Sequence, residues 1–344
     1  MSIYWQVYKN LEREIIKLAE IIHFDDTQEK VYSVHIADLL VRVSIEIEAV
    51  SKALYKDNGG NMNPVDDHGA SRKLFFDTDC IQYLDKKWHI TKKVVNVVAS
   101  SFYFKKDENI VLRPLKDCNK MGEGRWKKAY QAVKHDRIGS LKAGNIGNLI
   151  KAMGALFILN LYNNSDKVEE LGAGGAFDLR RGSALFSVNS FKATTITLDE
   201  HMDESNIGNY NKETREMMKD ESVFIDRYTK ETFVEMHKNY MNDKRITDSN
   251  VNQSGELLDY ISRHPDANDK PLSVVCFECG EELERRRLGI DDDDTNISDN
   301  DKKSIEQAGM AMTRKIMSYH NMQTGTPGRR ELVLNKLQQI YPAV

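Results

Sequence analysis

The chain has 344 residues, 40% apolar and 30% charged, with a net charge of −4, a composition that suits a soluble globular protein with a hydrophobic core in one large domain or two ordinary ones. No run approaches the ~20 apolar residues that cross a bilayer, and the N-terminus MSIYWQVYKNLERE lacks the basic-then-apolar layout of a secretory signal. Four cysteines in this length do not make a disulfide scaffold, so a cytoplasmic protein with reduced thiols and no membrane partner is expected.

In chain order, residues 5–24 carry Trp5, Leu11, Ile15, Leu18, Ile21 and Ile22 three to four apart, which predicts a helix with one apolar face. Residues 30–55 repeat the pattern, with Ile36, Leu39, Leu40, Val43, Ile47, Val50 and Leu54 on a narrow arc. Gly59-Gly60 and Asn63-Pro64 then break the chain. CIQYLDKKWH reads as a short helix. KKVVNVVASSFYF and NIVLRPL, separated by charged KKDE, read as a β-hairpin over 92–115. Helical spacing returns over 125–137 and 140–162, the latter with the stripe Ile146, Leu149, Ile150, Met153 and Phe157.

LGAGGAFDLRRG (171–182) ends regular structure with its glycines. It carries neither the GxGxxG nor the GxxxxGKS/T pattern of a phosphate-cradling loop, so residues 166–182 are expected to be a linker. Beyond it, ALFSVNSFKATTITL predicts one or two strands. Residues 211–243 and 301–320 predict helices, and ELVLNKLQQIY a last one. GIDDDDTNISDNDKK (289–303) is an acidic loop without the Gly-centred register of a calcium site. LSVVCFECGEELERRR runs strand-like into helix-like. Its Cys276 and Cys279 form a lone CxxC without two further zinc ligands, for which a structural role and no metal are expected. The fold class is therefore mainly α: a helical bundle over 1–165 with a hairpin insertion at 92–115, the linker, and an α+β domain over 183–344.

Charge is uneven along this chain. Residues 91–160 sum to about +9 and residues 161–344 to about −9. A basic segment inside an acidic protein marks either a polyanion site or a solvated basic helix that answers the acidic half.

The sharpest stretch is RWKKAYQAVKHDR, residues 125–137. On a helical wheel Trp126, Ala129, Tyr130 and Val133 share one face, the buried one. Lys128, Gln131 and His135 fall opposite, flanked by Lys127 and Lys134. Arg125 opens the helix, and Arg137 swings out at its end, just before Gly139. A histidine on a polar face moves a proton near neutrality. Cations beside it attract phosphate and stabilise charge on a transferring phosphoryl group. Such a set suits RNA cleavage: a 2′-hydroxyl attacks the adjacent phosphate, the histidine handles the proton, and a cation balances the oxyanion. Neither metal nor cofactor is needed. The expected catalytic group is His135, Arg137, Lys134 and Gln131, with Lys128, Lys127 and Arg125 binding substrate. Glu46 borders the apolar face of its helix, where it either pairs with a cation from 125–137 or is an ordinary flank carboxylate. The bland alternative for the whole stretch is a solvated helix in which His135 is incidental.

The pattern Trp-x-x-x-Tyr-x-x-Val-Lys-His-Asp-Arg, followed by a long Ala/Asn/Leu-rich helix, resembles the HEPN superfamily. VSIEIEAVSKALY (43–55), with Glu46 and Glu48 before Lys52, resembles the upstream helix of that bundle. The resemblance covers roughly residues 1–165. It implies a four- to five-helix bundle and a metal-independent RNase of toxin–antitoxin, abortive-infection or CRISPR type, with its active site between two protomers. RNA, a second copy of the chain and a protein partner of a defence system are then the expected partners. Many such domains carry RNxxxH. In that register with His135, Tyr130 holds the Arg position and Gln131 the Asn position, so His135 carries over as the catalytic residue and Gln131 as its polar neighbour. Glu46 and Tyr130 would support the site from behind, and Arg137, Lys134 or Lys128 would supply the cation. The competing expectation is a non-catalytic scaffold that dimerises or binds a protein or nucleotide partner, with the acidic C-terminal part as sensor. The enzyme needs a cation within reach of His135 across a dimer cleft. The scaffold leaves the Lys128/Gln131/His135 face open to solvent or blocked by the C-terminal domain.

Overall fold

Ser2 and Ser33 set where the first two helices begin. Each hydroxyl accepts a backbone N–H of the opening turn, from Tyr4 at 3.2 Å and from Ile36 at 3.1 Å, satisfying a donor that has no partner inside the helix. In a computed structural model, which describes residues 2–164, 169–171, 175–193, 212–232, 251–270, 272–291, 294, 297–324 and 329–337, these helices are α1 (Ile3–Ala19) and α2 (Val34–Asp57). A π-helical turn (Phe76–Ile81) leads into α3 (Gln82–Trp88), the short helix expected there. α6 (Ile146–Asn163) is capped by Asn145, whose Oδ1 accepts from Asn148 N at 3.0 Å, and it is buried on nearly every side. A helix apolar all round belongs inside, and α1, α2 and α5 (Arg125–His135) pack around it.

The expected hairpin is present in shorter form. β1 (Val95–Val97) pairs antiparallel with β2 (Val111–Leu112), and the short helix α4 (Asp107–Ile110) lies between them. The other edge of β1 pairs antiparallel with β4 (Phe186–Val188), giving the order β2-β1-β4. A second sheet has the order β3-β7-β6-β5, from Glu169–Leu171, Arg330–Leu334, Phe224–Tyr228 and Ser190–Lys192. β5 runs parallel to β6, and the other pairs are antiparallel.

These sheets join the two halves of the chain. Leu185, Phe186, Val188, Val223, Phe224, Leu332 and Leu334 lie in the same hydrophobic cluster as the core of α1, α2 and α6. Described residues from both sides of the expected 166–182 linker thus share one hydrophobic cluster. Buried polar groups tie the same seam. Glu12, 1% exposed, accepts from Ser183 Oγ at 2.7 Å and Ala184 N at 2.8 Å. Tyr162 donates its O–H to Asn335 O at 2.7 Å. What the helical bundle cannot bury alone, strands from later in the chain cover.

Three later helices form a second cluster around Leu257, Tyr260, Val275, Cys276, Cys279 and Met312. They are α8 (Val251–Arg263), α9 (Leu272–Leu288) and α10 (Asp299–Thr324). α9 and α10 meet at Gly280 and Gly309. A Cβ on Gly280 would stand 2.7 Å from Ala308 O, so only glycine permits this approach.

Three element assignments differ from the sequence reading. The helix expected over 211–243 is α7 (Lys212–Glu221) and ends before strand β6, because Val223, Phe224 and Ile225 form a short apolar run that pairs with β5 and β7; residues 233–243 lie outside the described set. The strand-like Leu272-Ser273-Val274-Val275 is the first turn of α9. Glu331–Leu334, read as the start of a helix, lies in β7 (Arg330–Leu334), held between β3 and β6.

Candidate polyanion site at the end of helix α5

Helix α5 starts where Gly124 turns the chain with φ +90°, and a Cβ there would meet Cys118 Sγ at 2.8 Å. Trp126 then donates its indole N–H to Pro114 O at 2.7 Å. Trp126, Ala129, Tyr130 and Val133 are buried, the face given by the helical period. His135, Lys134 and Arg137 are exposed at the C-terminal end, and Gln131 is half-buried.

Gln131 apart, the six named cationic and imidazole side chains separate into two sets. Lys127 is not available to substrate: it is 1% exposed. Its Nζ donates to Asp77 Oδ2 at 2.9 Å, Lys120 O at 2.5 Å and Cys118 O at 3.3 Å. Three acceptors satisfy the three protons of an ammonium group, so Lys127 is a buried tie between α5 and the 115–120 segment. Arg125 is exposed but pairs with Glu29 Oε1 at 2.7 Å, a carboxylate that also takes Lys151 at 3.3 Å. Lys128 pairs with Glu123 at 2.8 Å, and both partners are exposed. Such a pair is weak and leaves the amine free to exchange.

Lys134, His135 and Arg137 form the second set. Lys134 Nζ lies over the Tyr130 ring, 5.3 Å from its centroid. Among the described residues no carboxylate lies within 4 Å of Lys134, His135 or Arg137. Asp136 turns back to accept from Gly139 N at 2.9 Å, which engages its carboxylate locally. The helix also points its carbonyl end here, which favours positive side chains.

Behind the helix, the carboxylate that meets α5 is Glu48 rather than Glu46. Glu48 Oε1 accepts the Tyr130 O–H at 3.2 Å. Burial, then the charge of Glu48, pushes the Tyr130 phenol up to about 12. Glu46 is half-buried and, among the described residues, has no cation beside it; burial raises its carboxyl above the ordinary value. Glu46 and Glu48 are two residues apart on α2, about 200° around its axis, so they flank its buried face on opposite sides.

A cleft of about 480 Å³ lies at the other end of α5, and the sequence reading missed it. Lys92, Arg113, Lys116 and Lys120 converge there against the end of α7. The excess charge over 91–160 was the only signal for it. Elsewhere, Cys276 and Cys279 are buried on α9, and burial holds both thiols well above the usual range, that of Cys279 at about 12. Such thiols stay protonated and unreactive. Among the described residues no group of three or more His, Cys, Asp or Glu side chains is placed to hold a metal ion, and no helix is long and apolar enough to cross a membrane. No protein-family model, curated protein or solved structure matches this chain.

Proposed function

We propose that the protein acts on RNA through the exposed end of α5, as the effector of a bacterial defence or toxin–antitoxin type system. Lys134 and Arg137 bind the phosphate backbone, and His135 moves the proton in a metal-independent cleavage. The observation that carries this reading is the grouping of Lys134, His135 and Arg137 at one solvent-facing helix end, with no carboxylate within 4 Å among the described residues. Unpaired cations lose nothing when a phosphate arrives, whereas paired ones must first release an acid. An exposed imidazole carries two ring nitrogens that can donate or accept a proton at a bound phosphate. Among the described residues no cation is held against His135. A second copy, facing the first across this end, is what would fix one there and exclude water from the reacting phosphate.

The test is cleavage of RNA by the purified full chain in EDTA, at several salt concentrations, beside His135→Ala and the double change Lys134→Ala/Arg137→Ala. The wild type should cut and leave 2′,3′-cyclic phosphate ends. His135→Ala should bind with the same salt slope and not cut, and the double variant should bind more weakly with a slope smaller by about 2. RNA left intact and bound with no salt dependence would sink the proposal.

A second reading rests on Ile138, 96% exposed directly after this cluster. A large apolar side chain beside a basic end suits docking on a protein or a second copy without catalysis. Intact RNA with the wild type, together with self-association that is lost in Ile138→Asp, would identify this case.

A further inference from the structure

The cleft between the 91–120 region and the end of α7 is built from three parts of the chain. Lys92 follows the turn after α3, Arg113 to Lys120 follow β2, and Asp220 and Glu221 close α7. We infer that it is a binding site for a small phosphorylated ligand of nucleotide size.

Charge is the first argument. Lys92 Nζ meets Asp220 Oδ2 at 2.6 Å, Lys120 Nζ meets Asp117 Oδ1 at 2.8 Å, and Arg113 pairs with Glu221. Those three pairs leave Lys116, exposed, with no carboxylate within 4 Å among the described residues. The lining therefore carries four cations against three acids, and the surplus one faces the cleft. A phosphate takes the unpaired Lys116 at no cost in broken pairs and shares the donors of Lys120 and Arg113, both on the exposed side of their pairs.

Size and polarity give the second argument. A volume of about 480 Å³ is far more than one phosphate fills and lies in the range of small-molecule and cofactor sites. The rest of the lining is mixed. Met217 offers an apolar wall, half exposed, for a flat ring. Asn119, held by Asp85 at 2.9 Å, and the carboxylate of Asp117 offer acceptors for sugar hydroxyls and ring N–H groups. An anionic end, hydroxyls and a flat ring together describe a nucleotide better than they describe a bare anion.

The rear of the cleft is fixed, which is the third argument. Lys93, fully buried, donates from Nζ to Asp220 O at 2.9 Å and Ser222 O at 3.0 Å. Asn335 Nδ2 donates to Lys219 O at 2.7 Å and Ser222 O at 3.0 Å, and Val94 N donates to Glu221 O at 3.0 Å. His89 Nδ1 holds Asp220 Oδ1 at 2.9 Å. The acid wall is thus set in place before any ligand arrives, so binding needs little reordering.

This inference does not depend on the role of His135. Lys127, which is tied to Lys120 O and Cys118 O beside the cleft, and His135 lie eight residues apart on α5, roughly 12 Å along the helix axis. The test is titration calorimetry of the full chain in EDTA with ATP, AMP, adenosine, inorganic phosphate and a 5′-phosphorylated RNA trimer. Wild type is compared with Lys116→Glu, Lys120→Glu and His135→Ala, with thermal melting to confirm that the exposed charge changes leave the fold intact. The inference expects saturable nucleotide binding with Kd below about 1 mM, weakened at least ten-fold in Lys116→Glu and Lys120→Glu and unchanged in His135→Ala. No saturable nucleotide binding overturns it, and so does nucleotide binding indifferent to both lysine changes. Phosphate or adenosine alone binding as well as AMP overturns the ligand class. Binding of the RNA trimer but of no free nucleotide also overturns it and assigns the cleft to an RNA path.

Discussion

Replacing Lys93 by Met probes the seam between the two halves of the chain. Lys93 is fully buried, and among the described residues its amine touches two carbonyl oxygens and no carboxylate. Asp220, the nearest acid, spends its own oxygens on Lys92 and His89. Burial is the largest influence and lowers the Lys93 amine from 10.5 to about 7. A neutral amine has two N–H bonds, the number that two carbonyls can take. The sign follows from proton counts. Below pH 7 the amine is charged in both folded and unfolded chains, and the full cost of burying the charge is present. Between about 7 and 10.5 the unfolded chain keeps a proton that the folded one sheds, so stability rises with pH. One pH unit is worth about 1.4 kcal/mol, so the window from pH 7 to 9 should contribute roughly 3 kcal/mol. Met keeps the length of the stem and removes the titration. Urea unfolding of both chains at pH 6, 7, 8 and 9 measures the difference. The stability gap between wild type and Lys93→Met should shift by roughly 3 kcal/mol in favour of the wild type from pH 7 to 9, and stay flat from 6 to 7. Parallel pH profiles would refute the reasoning, since they would mean that Lys93 keeps its proton in the folded chain.

Three further substitutions rank buried charges against an exposed one. Lys127→Ala should cost about 3–5 kcal/mol of stability, because it strands Asp77 and two carbonyls around a buried charge; Lys128→Ala should stay within about 0.5 kcal/mol, and thermal melting ranks the two. Glu12→Ala should cost about 3 kcal/mol by urea unfolding, because Tyr8, Ser183 and the N–H of Ala184 all lose their buried acceptor. If it costs no more than a surface change, the Glu12 cluster does not hold α1 to the 183–185 turn.

Some features of this molecule are local and were legible in the residues. α1, α2, α5 and α6 follow from the spacing of their apolar side chains, and Ser2, Ser33 and Asn145 mark three of their starts. The buried face of α5 and the exposure of His135 follow from the same period, since adjacent turns of one helix fix both. The charge excess over 91–160 was countable, though not its destination.

Other features depend on segments far apart in the chain. Arg330–Leu334 is a strand because β3 and β6 supply hydrogen-bond partners on both sides; the five residues alone suit a helix as well. Lys127 sits on the flank of the wheel, yet the 115–120 segment and Asp77 close over it and turn a surface cation into a buried one. The cleft of Lys92, Arg113, Lys116 and Lys120 exists only because the end of α7 arrives from a hundred residues later, pinned by Lys93 and Asn335. The sequence by itself determined the helices, their buried faces and the sign of the local charge, because those depend on neighbours within a few residues. The tertiary structure alone decided which charges are paired, which are buried and where a cavity remains, because each of those depends on what distant segments bring within a few ångströms.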